Sequence, residues 1–469
     1  MSIGQNWLTM TFIERLRDHL EGTGLIPPGS SVLVALSGGT DSACLTHALH
    51  ALGIEIVAAH LHHGQRPEAD ADLEHCARWC ESLGIPFVSG KADVPRLARD
   101  RSIGIEEAGR EARYEFLEQS ARQTGCHLIA TAHHRDDQLE TVLMNLVRGA
   151  GLRGLGGIPA RRGRIVRPFL SFSRDEIKEY CNAHEIPRLH DSTNDDIQFA
   201  RARLRKRVVP ELQVLNPSVV EAVARTTALV AEEDAFLDGA AAAALERAEF
   251  PLNEPMPFLT HDCEVALHRP HIEALPAVLV RRAVRLAANA LGATATYDQI
   301  RGIEDLLVRQ GTGSITFEGG AVVAELDDVK LHLRQLHPTE PFRFKLTVPG
   351  ETVAEVFGWQ FTAENVHADG PSTSRLVATV DPKTVIGNLY FKSAEPTDRL
   401  SPLGLGAEKR VLDILADAKL TLAARRRLPI LCDMGGPIWI PGVTLAERVK
   451  MSAWPQPAVR ITFGPMRES

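Results

Sequence analysis

A short apolar run that leads directly into a glycine-containing loop is the feature that most constrains the fold of this chain. Residues 31–36 are Ser-Val-Leu-Val-Ala-Leu, and residues 37–42 are Ser-Gly-Gly-Thr-Asp-Ser. The apolar run predicts a buried strand, and the residues after the loop, 43–52, predict a helix. A loop of small residues between a strand and a helix directs backbone N–H groups and a helix N-terminus at an anion. The sequence therefore predicts a phosphate-binding loop in an α/β domain.

The residues of this loop exclude two common classes of nucleotide-binding protein. The loop contains neither the lysine of a GxxxxGK[ST] motif nor a GxGxxG fingerprint. Glycines allow the main chain to approach a phosphate closely, and Ser37, Thr40 and Ser42 add hydroxyl donors. A carboxylate beside a triphosphate requires a cation between them, so Asp41 is predicted to bind Mg²⁺. The alternative is an ordinary glycine turn with a Ser or Asp helix cap.

Length, cysteine content and charge limit the class of protein further. The chain has 469 residues, enough for about two to four domains. No stretch of about 18 residues is both apolar and free of charges, so no membrane span is predicted. The seven cysteines include no CxxC pair, which favours a cytoplasmic location and indicates no zinc or iron–sulfur site. The net charge of −8 still permits nucleic-acid binding, because local basic clusters set the field.

The residues up to about 150 alternate between strand and helix patterns. Further strands are predicted at 54–61, 85–88 and 127–132, and helices at 69–83, 105–123 and 135–147. Repeated units of this kind predict a parallel sheet with helices on both faces, in which ligands bind beyond the C-terminal strand ends. The loop 37–42 and the segments 60–66 and 131–134 follow such ends, so we expect them to converge on one crevice.

The patterns then become mainly helical and finally mainly extended. A capping box at Ser173–Glu176 opens a helix, and a basic helix is predicted at 199–210. A long helix that begins at Asn216-Pro217 is predicted to continue to about residue 250, with further helices at 272–291 and 297–309 and a hairpin at 314–333. The predicted domains are 1–215, an α/β domain; 216–370, a mainly helical middle domain with a β-hairpin region; and 376–465, a small α+β domain with one helix near 411–415.

A second polar cluster follows the strand predicted at 127–132. Within Thr131–Thr141, the residues His133, Asp137 and Glu140 fall at i, i+4 and i+7. They share one face if the helix begins early enough, and two acids with an imidazole beside a phosphate loop suit Mg²⁺ binding or proton transfer. The alternative is a polar helix start whose acids interact with the helix dipole.

Three groups of basic residues stand out in this acidic chain. Such groups predict contacts with the phosphate backbone of a nucleic acid, and the alternative is a solvated charged surface. The groups are Arg148, Arg153, Arg161, Arg162, Arg164, Arg167 and Arg174; Arg201, Arg203, Arg205, Lys206 and Arg207; and Arg425, Arg426 and Arg427.

Together these motifs resemble those of the tRNA(Ile)-lysidine synthetase family, and the resemblance extends from end to end of the chain. The strings AHHRDDQLET at 132–141 and DSTN at 191–194 are more specific than SGGxDS, which many ATP pyrophosphatases share. The middle, about 251–375, matches only loosely. The matching segments are Ser37–Ser42, His60–Arg66, Glu106–Tyr114, Thr131–Thr141, Arg148–Gly151, Asp191–Asp195, Arg203–Arg205, Asn216-Pro217, Asp398–Leu400, Pro402–Gly404, Lys409-Arg410, Asp417–Lys419, Arg425 and Trp439–Gly442.

The resemblance implies a Rossmann-like, N-type ATP pyrophosphatase domain that uses ATP and Mg²⁺. It also implies a two-step reaction on the wobble cytidine of a tRNA(Ile) with a CAU anticodon. The cytosine C2 oxygen first attacks the α-phosphate of ATP, which releases pyrophosphate and leaves an adenylated base. The ε-amine of free L-lysine then attacks C2, AMP leaves, and the product is lysidine.

The matching motifs imply roles for individual residues. Whether Asp137 and Glu140 recognise the amine or bind metal stays open, and Arg110 and Arg113 hold a phosphate, the lysine carboxylate or a nearby glutamate. Catalysis is assigned to Asp41, His133, Asp137, Glu140 and Arg113; ATP binding to Ser37, Gly38, Gly39, Thr40, Asp41, Ser42, His62 and Arg110; and Mg²⁺ binding to Asp41. tRNA binding is assigned to Arg201, Arg203, Arg205, Lys206, Arg399, Lys409, Arg410 and Arg425.

Two other interpretations stay open at the level of the sequence. A tRNA thiolase of the same ATP-cleaving fold would need a cysteine pair or an iron–sulfur cluster, and no CxxC is present. A non-catalytic tRNA-binding protein could keep a vestigial ATP site, but the set Asp41, His133, Asp137 and Glu140 is intact. The sequence also leaves open whether the chain forms a homodimer.

Overall fold

The computed structural model describes residues 10–62, 69–189, 200–336 and 340–466. The chain divides into two compact units, residues 1–236 and 237–469. The three domains predicted from the sequence, with bounds 1–215, 216–370 and 376–465, remain a prediction. Across the described ranges, no helix combines the length and the apolar character that a bilayer crossing requires.

A six-stranded sheet forms the centre of the first unit, in the order β3-β2-β1-β4-β6-β5. Its strands are parallel except for β5, which pairs antiparallel with β6. Because β1 has β2 on one side and β4 on the other, the strand order reverses at β1, and such a switch point opens a crevice at the C-terminal strand ends. The strands are β1 (Val32–Ala35), β2 (Ile56–His62), β3 (Phe87–Lys91), β4 (Leu128–Ala130), β5 (Arg161–Arg162) and β6 (Ile165–Val166).

Helices cover both faces of this sheet, which explains the continuous apolar sequence of β1. Val32 and Val34 belong to one core cluster, whereas Leu33 packs with Leu117 in a second cluster on the opposite face. A strand buried on both faces lacks polar alternation. The helices are α1 (Phe12–Thr23), α2 (Thr40–Ala51), α3 (Ala69–Ser82), α4 (Val94–Arg101), α5 (Ile105–Thr124), α6 (Arg135–Val147), α7 (Leu152–Leu155) and α8 (Arg174–Ala183).

The basic helix predicted at 199–210 is wrong in detail, because the described part of it is interrupted. It consists of α9 (Ala200–Arg203), a π-helical turn (Leu204–Val208) and the start of α10 (Val209–Leu215). Pro210 lacks an N–H and cannot donate to the carbonyl one turn earlier, which disturbs the α-helical hydrogen bonds at this point. The long helix α11 (Val219–Ala248) begins two residues after the predicted Pro217, and Asn216 Oδ1 accepts a hydrogen bond from the Ser218 N–H at 3.0 Å.

After the end of α11, the described residues of the first part of the second unit form three further α-helices and a four-stranded sheet. The predicted helix 272–291 is wrong, because Pro276 separates two helices, and the residue before a proline avoids the α conformation. The hairpin predicted at 314–333 is a three-stranded meander, and the sequence did not predict the first strand of its sheet, β7. The elements are β7 (Glu264–His268), α12 (Arg269–Glu273), α13 (Ala277–Ala290), α14 (Tyr297–Val308), β8 (Gly313–Thr316), β9 (Val322–Leu326) and β10 (Lys330–Gln335), with sheet order β7-β10-β9-β8.

The second part of this unit contains further sheets and two short helices, where the sequence predicted only one helix. Strand β13 pairs with β21 along ten residue pairs, so strands from both sides of residue 370 share a sheet. The elements are β11 (Arg343–Lys345), β12 (Gly350–Ala354), β13 (Trp359–Ala368), β14 (Val377–Val380), β15 (Tyr390–Lys392), β16 (Arg399–Leu400), β17 (Lys409–Arg410), α15 (Val411–Asp417), α16 (Leu422–Arg427), β18 (Ile430–Asp433), β19 (Gly436–Ile440), β20 (Thr444–Leu445) and β21 (Gln456–Pro465). The predicted fold class, a parallel-sheet α/β region, a mainly helical middle and an α+β C-terminal region, is confirmed.

Candidate active site

The loop between β1 and α2 is closed by hydrogen bonds among its own small residues. The Ser37 N–H donates to Ser42 Oγ at 3.1 Å, and Ser42 Oγ donates to the Gly39 carbonyl at 3.0 Å. Gly38 has φ +85°, and a Cβ at this position would lie 2.6 Å from Leu189 Cδ1. Only glycine fits this turn, since a side chain would be strained and would collide with Leu189.

Helix α2 begins at Thr40, three residues earlier than the sequence predicted. Asp41 and Ser42 are therefore in its first turn, at the end where the backbone N–H groups lack helical partners. The residue before the helix, Gly39, has no side chain to cap these groups. The N-terminus of α2 thus remains available for an anion at the switch point of the sheet.

The turn that joins β4 to α6 faces this loop. Helix α6 begins at Arg135, as predicted, so His133 precedes the helix and the face that it would share with Asp137 and Glu140 does not form. The reason is local: Asp137 Oδ2 accepts a hydrogen bond from the His134 N–H at 2.9 Å, which fixes His134 as the residue before the first turn. His134, which the sequence analysis did not select, is the histidine that meets the acids.

His134 is only 3% exposed and is surrounded by three carboxylates. Its Nε2 lies 3.6 Å from both Asp41 Oδ2 and Asp137 Oδ2, and its Nδ1 lies 3.6 Å from Asp136 Oδ2. Burial by itself would lower the pKa of His134, but Asp136, Asp41 and Asp137 together raise it to about 10. His134 is therefore an imidazolium at neutral pH that holds the carboxylates near one another.

Asp41 has the properties expected of a cation ligand. Burial would raise the pKa of Asp41, but the charges of His134, Arg174 and Arg205 lower it, so the carboxylate is ionised. Its Oδ1 is buried without a hydrogen-bond partner among the described residues, and an ionised oxygen in that state is costly unless a ligand satisfies it. Within the described ranges, no group of three or more His, Cys, Asp or Glu side chains could hold a metal alone. Mg²⁺ commonly binds to one or two carboxylates and to substrate phosphates, so Asp41 and Asp137 fit it.

Glu140 forms an ion pair with Arg205, whose charge also acts on Asp41. Arg205 donates from Nε to Glu140 Oε1 at 2.6 Å and from Nη2 to Oε2 at 3.0 Å. Glu140 is 2% exposed. The structure therefore joins a residue assigned to catalysis with one assigned to tRNA binding, and it connects α6 to the π-helical turn.

His133 lies on the opposite side of the turn, among arginines. Its Nδ1 is 3.0 Å from Thr131 Oγ1. Burial, together with the charges of Arg167, Arg110, Arg201 and Arg113, lowers the pKa of His133 to about 3. His133 is therefore neutral at physiological pH, and two consecutive histidines occupy environments of opposite charge.

The other residues assigned from the sequence lie at several places. His62, at the end of β2, has its Nε2 3.2 Å from Asp70 Oδ1. In the second unit, Arg399, Lys409 and Arg410 each lie within 4 Å of an acid, at 3.8 Å from Glu408, 3.8 Å from Asp417 and 2.8 Å from Asp413. Arg425 donates from Nε to the Leu420 carbonyl at 2.9 Å. The matching segments 63–66 and 191–195 lie outside the described residues.

The switch-point sheet, its anion-binding loop and the facing acidic turn define a PP-loop protein, and the PP-loop domain family matches residues 9–212. The TilS substrate C-terminal domain matches residues 390–461. The chain is 32% identical to a tRNA(Ile)-lysidine synthase of Geobacter sulfurreducens over 94% of each chain, and 32% identical to that of Symbiobacterium thermophilum over 97% of this chain and 98% of the relative. A Bacillus cereus tRNA(Ile)-lysidine synthase is 31% identical over 92% of each chain. The chain belongs to the tRNA(Ile)-lysidine synthase family.

Proposed function

We propose that this chain is the ligase that converts the wobble cytidine of a tRNA(Ile) with a CAU anticodon into lysidine. The observation that carries the proposal is its relation, at about 30% identity over more than nine-tenths of the chain, to proteins of that activity. A tRNA thiolase is not favoured, because this chain matches the TilS substrate C-terminal domain in addition to the PP-loop domain. The substrates are ATP, free L-lysine and the tRNA.

The loop 37–42 and the first turn of α2 are proposed to bind the phosphates of ATP. Backbone N–H groups and the hydroxyls of Ser37, Thr40 and Ser42 are the donors. Attack of the cytosine C2 oxygen on the α-phosphate builds negative charge on the phosphoryl oxygens, and preorganised donors stabilise such charge because they need not reorient during the reaction. The step releases pyrophosphate and makes AMP the leaving group.

Asp41 and Asp137 are proposed to hold Mg²⁺ against the phosphates. When bound, the ion would neutralise phosphate charge during the attack. The unsatisfied Asp41 Oδ1 supports this assignment. His134 Nε2 lies 3.6 Å from Asp41 Oδ2 and 3.6 Å from Asp137 Oδ2, so one ring holds the two carboxylates near each other.

The lysine ε-amine must lose a proton before it attacks C2. From a reference pKa of about 10.4, its deprotonation near pH 7 costs about 4–5 kcal/mol. Glu140 does not orient this amine directly, because Arg205 engages both of its carboxylate oxygens. Glu140 is then proposed to act through Arg205 as a positioning residue.

The direct test is to incubate the protein with ATP, radiolabelled lysine and the unmodified tRNA, and to locate the label by nucleoside analysis. We expect label on the wobble base, with one AMP formed per lysine incorporated. AMP should form only when both the tRNA and lysine are present. Label that stays free while the tRNA is bound tightly would contradict the proposal and favour a non-catalytic tRNA-binding protein.

A further inference from the structure

An arginine-lined cavity of about 190 Å³ lies beside the acidic cluster and is not used by the steps described above. The residues that define its chemistry are Arg110, Arg162, Arg167, Arg201, His133 and Thr141. Because His133 directly precedes His134, the cavity borders the same turn that faces the ATP loop. It therefore lies next to the place where the base is activated.

Two buried polar atoms at this cavity lack partners. Arg167 is 2% exposed, and its Nη1 donates to the Pro159 carbonyl at 2.6 Å, but its Nε has no partner among the described residues. Thr141 Oγ1 is likewise buried and unpartnered. Both groups can donate a hydrogen bond, so the cavity presents unsatisfied donors to a ligand that accepts them.

The charge of the cavity selects the kind of ligand. Its described lining includes four arginines and no Asp or Glu. His133 contributes no charge to this lining, because burial and the surrounding guanidinium groups lower its pKa. Free lysine carries two ammonium groups at neutral pH, and neither would find a carboxylate among these lining residues. An anion without a cationic group is favoured, and arginine recognises phosphate with paired donors.

The size and rigidity of the cavity agree with a single phosphate group. Pockets for whole small-molecule ligands usually measure about 300–1,000 Å³, so a volume of about 190 Å³ is small for a nucleotide. The guanidinium groups of Arg110 and Arg162 lie 5.3 and 5.4 Å from the centre of the Tyr114 ring. Gln138 holds Ile158 by donating to its carbonyl and accepting from its N–H, both at 2.7 Å. The donors are thus held in place before the ligand binds, which lowers the entropic cost of binding.

We infer that this cavity binds a phosphodiester of the tRNA strand beside the reacting cytidine, as a site separate from the loop that binds ATP phosphates. The inference rests on the proposed function for the identity of the RNA. A phosphodiester held here would fix the strand while the base leaves the anticodon stack to reach the activated α-phosphate.

The test compares Arg162→Gln with Arg122→Gln. Both arginines are exposed, but only Arg162 lines the cavity, whereas Arg122 lies in the last turn of α5 and belongs to none of the three basic groups. We expect Arg162→Gln to raise the Kd for the unmodified tRNA about tenfold and to lower the slope of log K against log salt by about 1. Arg122→Gln should change the Kd less than threefold, and both variants should keep the melting temperature of the parent protein. Arg201→Gln, which removes a second lining guanidinium, should repeat the effect of Arg162→Gln.

Separate measurements distinguish the other sources of an anion. A higher Kd for ATP or pyrophosphate with unchanged tRNA affinity would overturn the inference in favour of a nucleotide phosphate site. A higher KM for lysine with unchanged tRNA affinity would overturn it in favour of a carboxylate site. If the parent protein transfers no lysine but Arg162→Gln still weakens RNA binding selectively, the proposed function fails and the phosphodiester site stands. If the parent protein is active and Arg162→Gln binds tRNA normally, the proposed function stands and the phosphodiester site is refuted.

Discussion

His133 and His134 are adjacent in the chain, yet their environments give them opposite charge states. His134 contacts three carboxylates and its pKa rises to about 10, whereas the arginines around His133 lower its pKa to about 3. The backbone turn before α6 directs one ring to each side. The pair therefore separates an acidic region suited to a cation from a basic region suited to an anion.

Asp41→Asn should abolish ATP cleavage while tRNA binding survives. The amide keeps the shape of the side chain but cannot neutralise a divalent cation, and a loss of about 3 kcal/mol of transition-state stabilisation is about 100-fold in rate. AMP formation in the presence of tRNA and lysine measures the first effect, and filter binding of tRNA the second. Asp175→Asn, at a highly exposed carboxylate of α8, is the control and should be fully active. Loss of tRNA affinity together with activity would refute the assigned role of Asp41.

His133 should make the protein less stable as the pH falls. In the folded state its pKa is about 3, below the unfolded value of about 6.5. Below pH 6.5 the unfolded chain binds a proton that the folded chain does not, so the free energy of unfolding decreases. The linkage relation gives a loss of about 1.5 kcal/mol between pH 6.5 and pH 5.

Urea unfolding of the parent protein and of His133→Gln at these two pH values measures this effect. The variant should lose less stability over the same interval, because glutamine does not titrate. Equal losses in the two proteins would mean that His133 is protonated in the folded state.

At the scale of elements, the ion pair of Glu140 and Arg205 connects α6 to the π-helical turn that follows α9. Both oxygens of the buried Glu140 are engaged, and the charge of Glu140 helps to raise the pKa of Arg205 against the effect of burial. The basic segment that the sequence predicts to contact a nucleic acid therefore also forms an ion pair within the fold. In the same segment, Arg203, Lys206 and Arg207 are exposed.

Arg205→Met should destabilise the fold by about 3 kcal/mol, because it leaves the carboxylate of Glu140 buried without a partner. Arg203→Met, two residues away on the exposed side, should change the free energy of unfolding by less than about 0.5 kcal/mol. Denaturant unfolding monitored by circular dichroism compares the two. A small effect of Arg205→Met that equals the effect of Arg203→Met would show that the pair adds nothing to stability.

At the scale of the whole molecule, the net charge of −8 conceals an uneven distribution. In the first unit, Arg110, Arg162, Arg167 and Arg201 line one cavity, while Asp41, Asp136 and Asp137 surround His134. In the second unit, exposed basic side chains of the β16–β17 ribbon pair with acids at its surface. Exposed ion pairs of this kind contribute little and can exchange their acids for phosphates.

tRNA binding should therefore weaken steeply with salt in spite of the acidic net charge. With about five phosphate contacts, the affinity should fall at least about 100-fold between 50 and 200 mM salt. Filter binding over this range measures the slope, and binding of ATP analogues under the same conditions serves as the comparison. A flat response would count against the basic clusters as the surface that contacts the tRNA.

Elements that depend on neighbouring residues were predicted well. The strand, loop and helix at 31–52, the capping box before α8 and the helix at 135–147 are all present, since apolar runs, caps and glycine turns act over a few residues. Errors occurred where one residue broke a longer pattern. Pro276 divided a predicted helix and Pro210 disturbed another, while α16 is too short for a helical period to be visible in the sequence.

Local pattern alone was enough to identify the α/β fold, the anion-binding loop and the family, because these depend on short motifs with a fixed order. Only the tertiary structure decided three features of the site. It decided which histidine meets Asp41, that Glu140 binds Arg205, and that four arginines line one cavity. These contacts join segments separated by up to about a hundred residues, and patterns that act over a few residues carry no information about such distant partners. The start of α6 at Arg135 was predicted correctly, yet the environments of His133 and His134 depend on the arginines and the acids that pack around the turn before it.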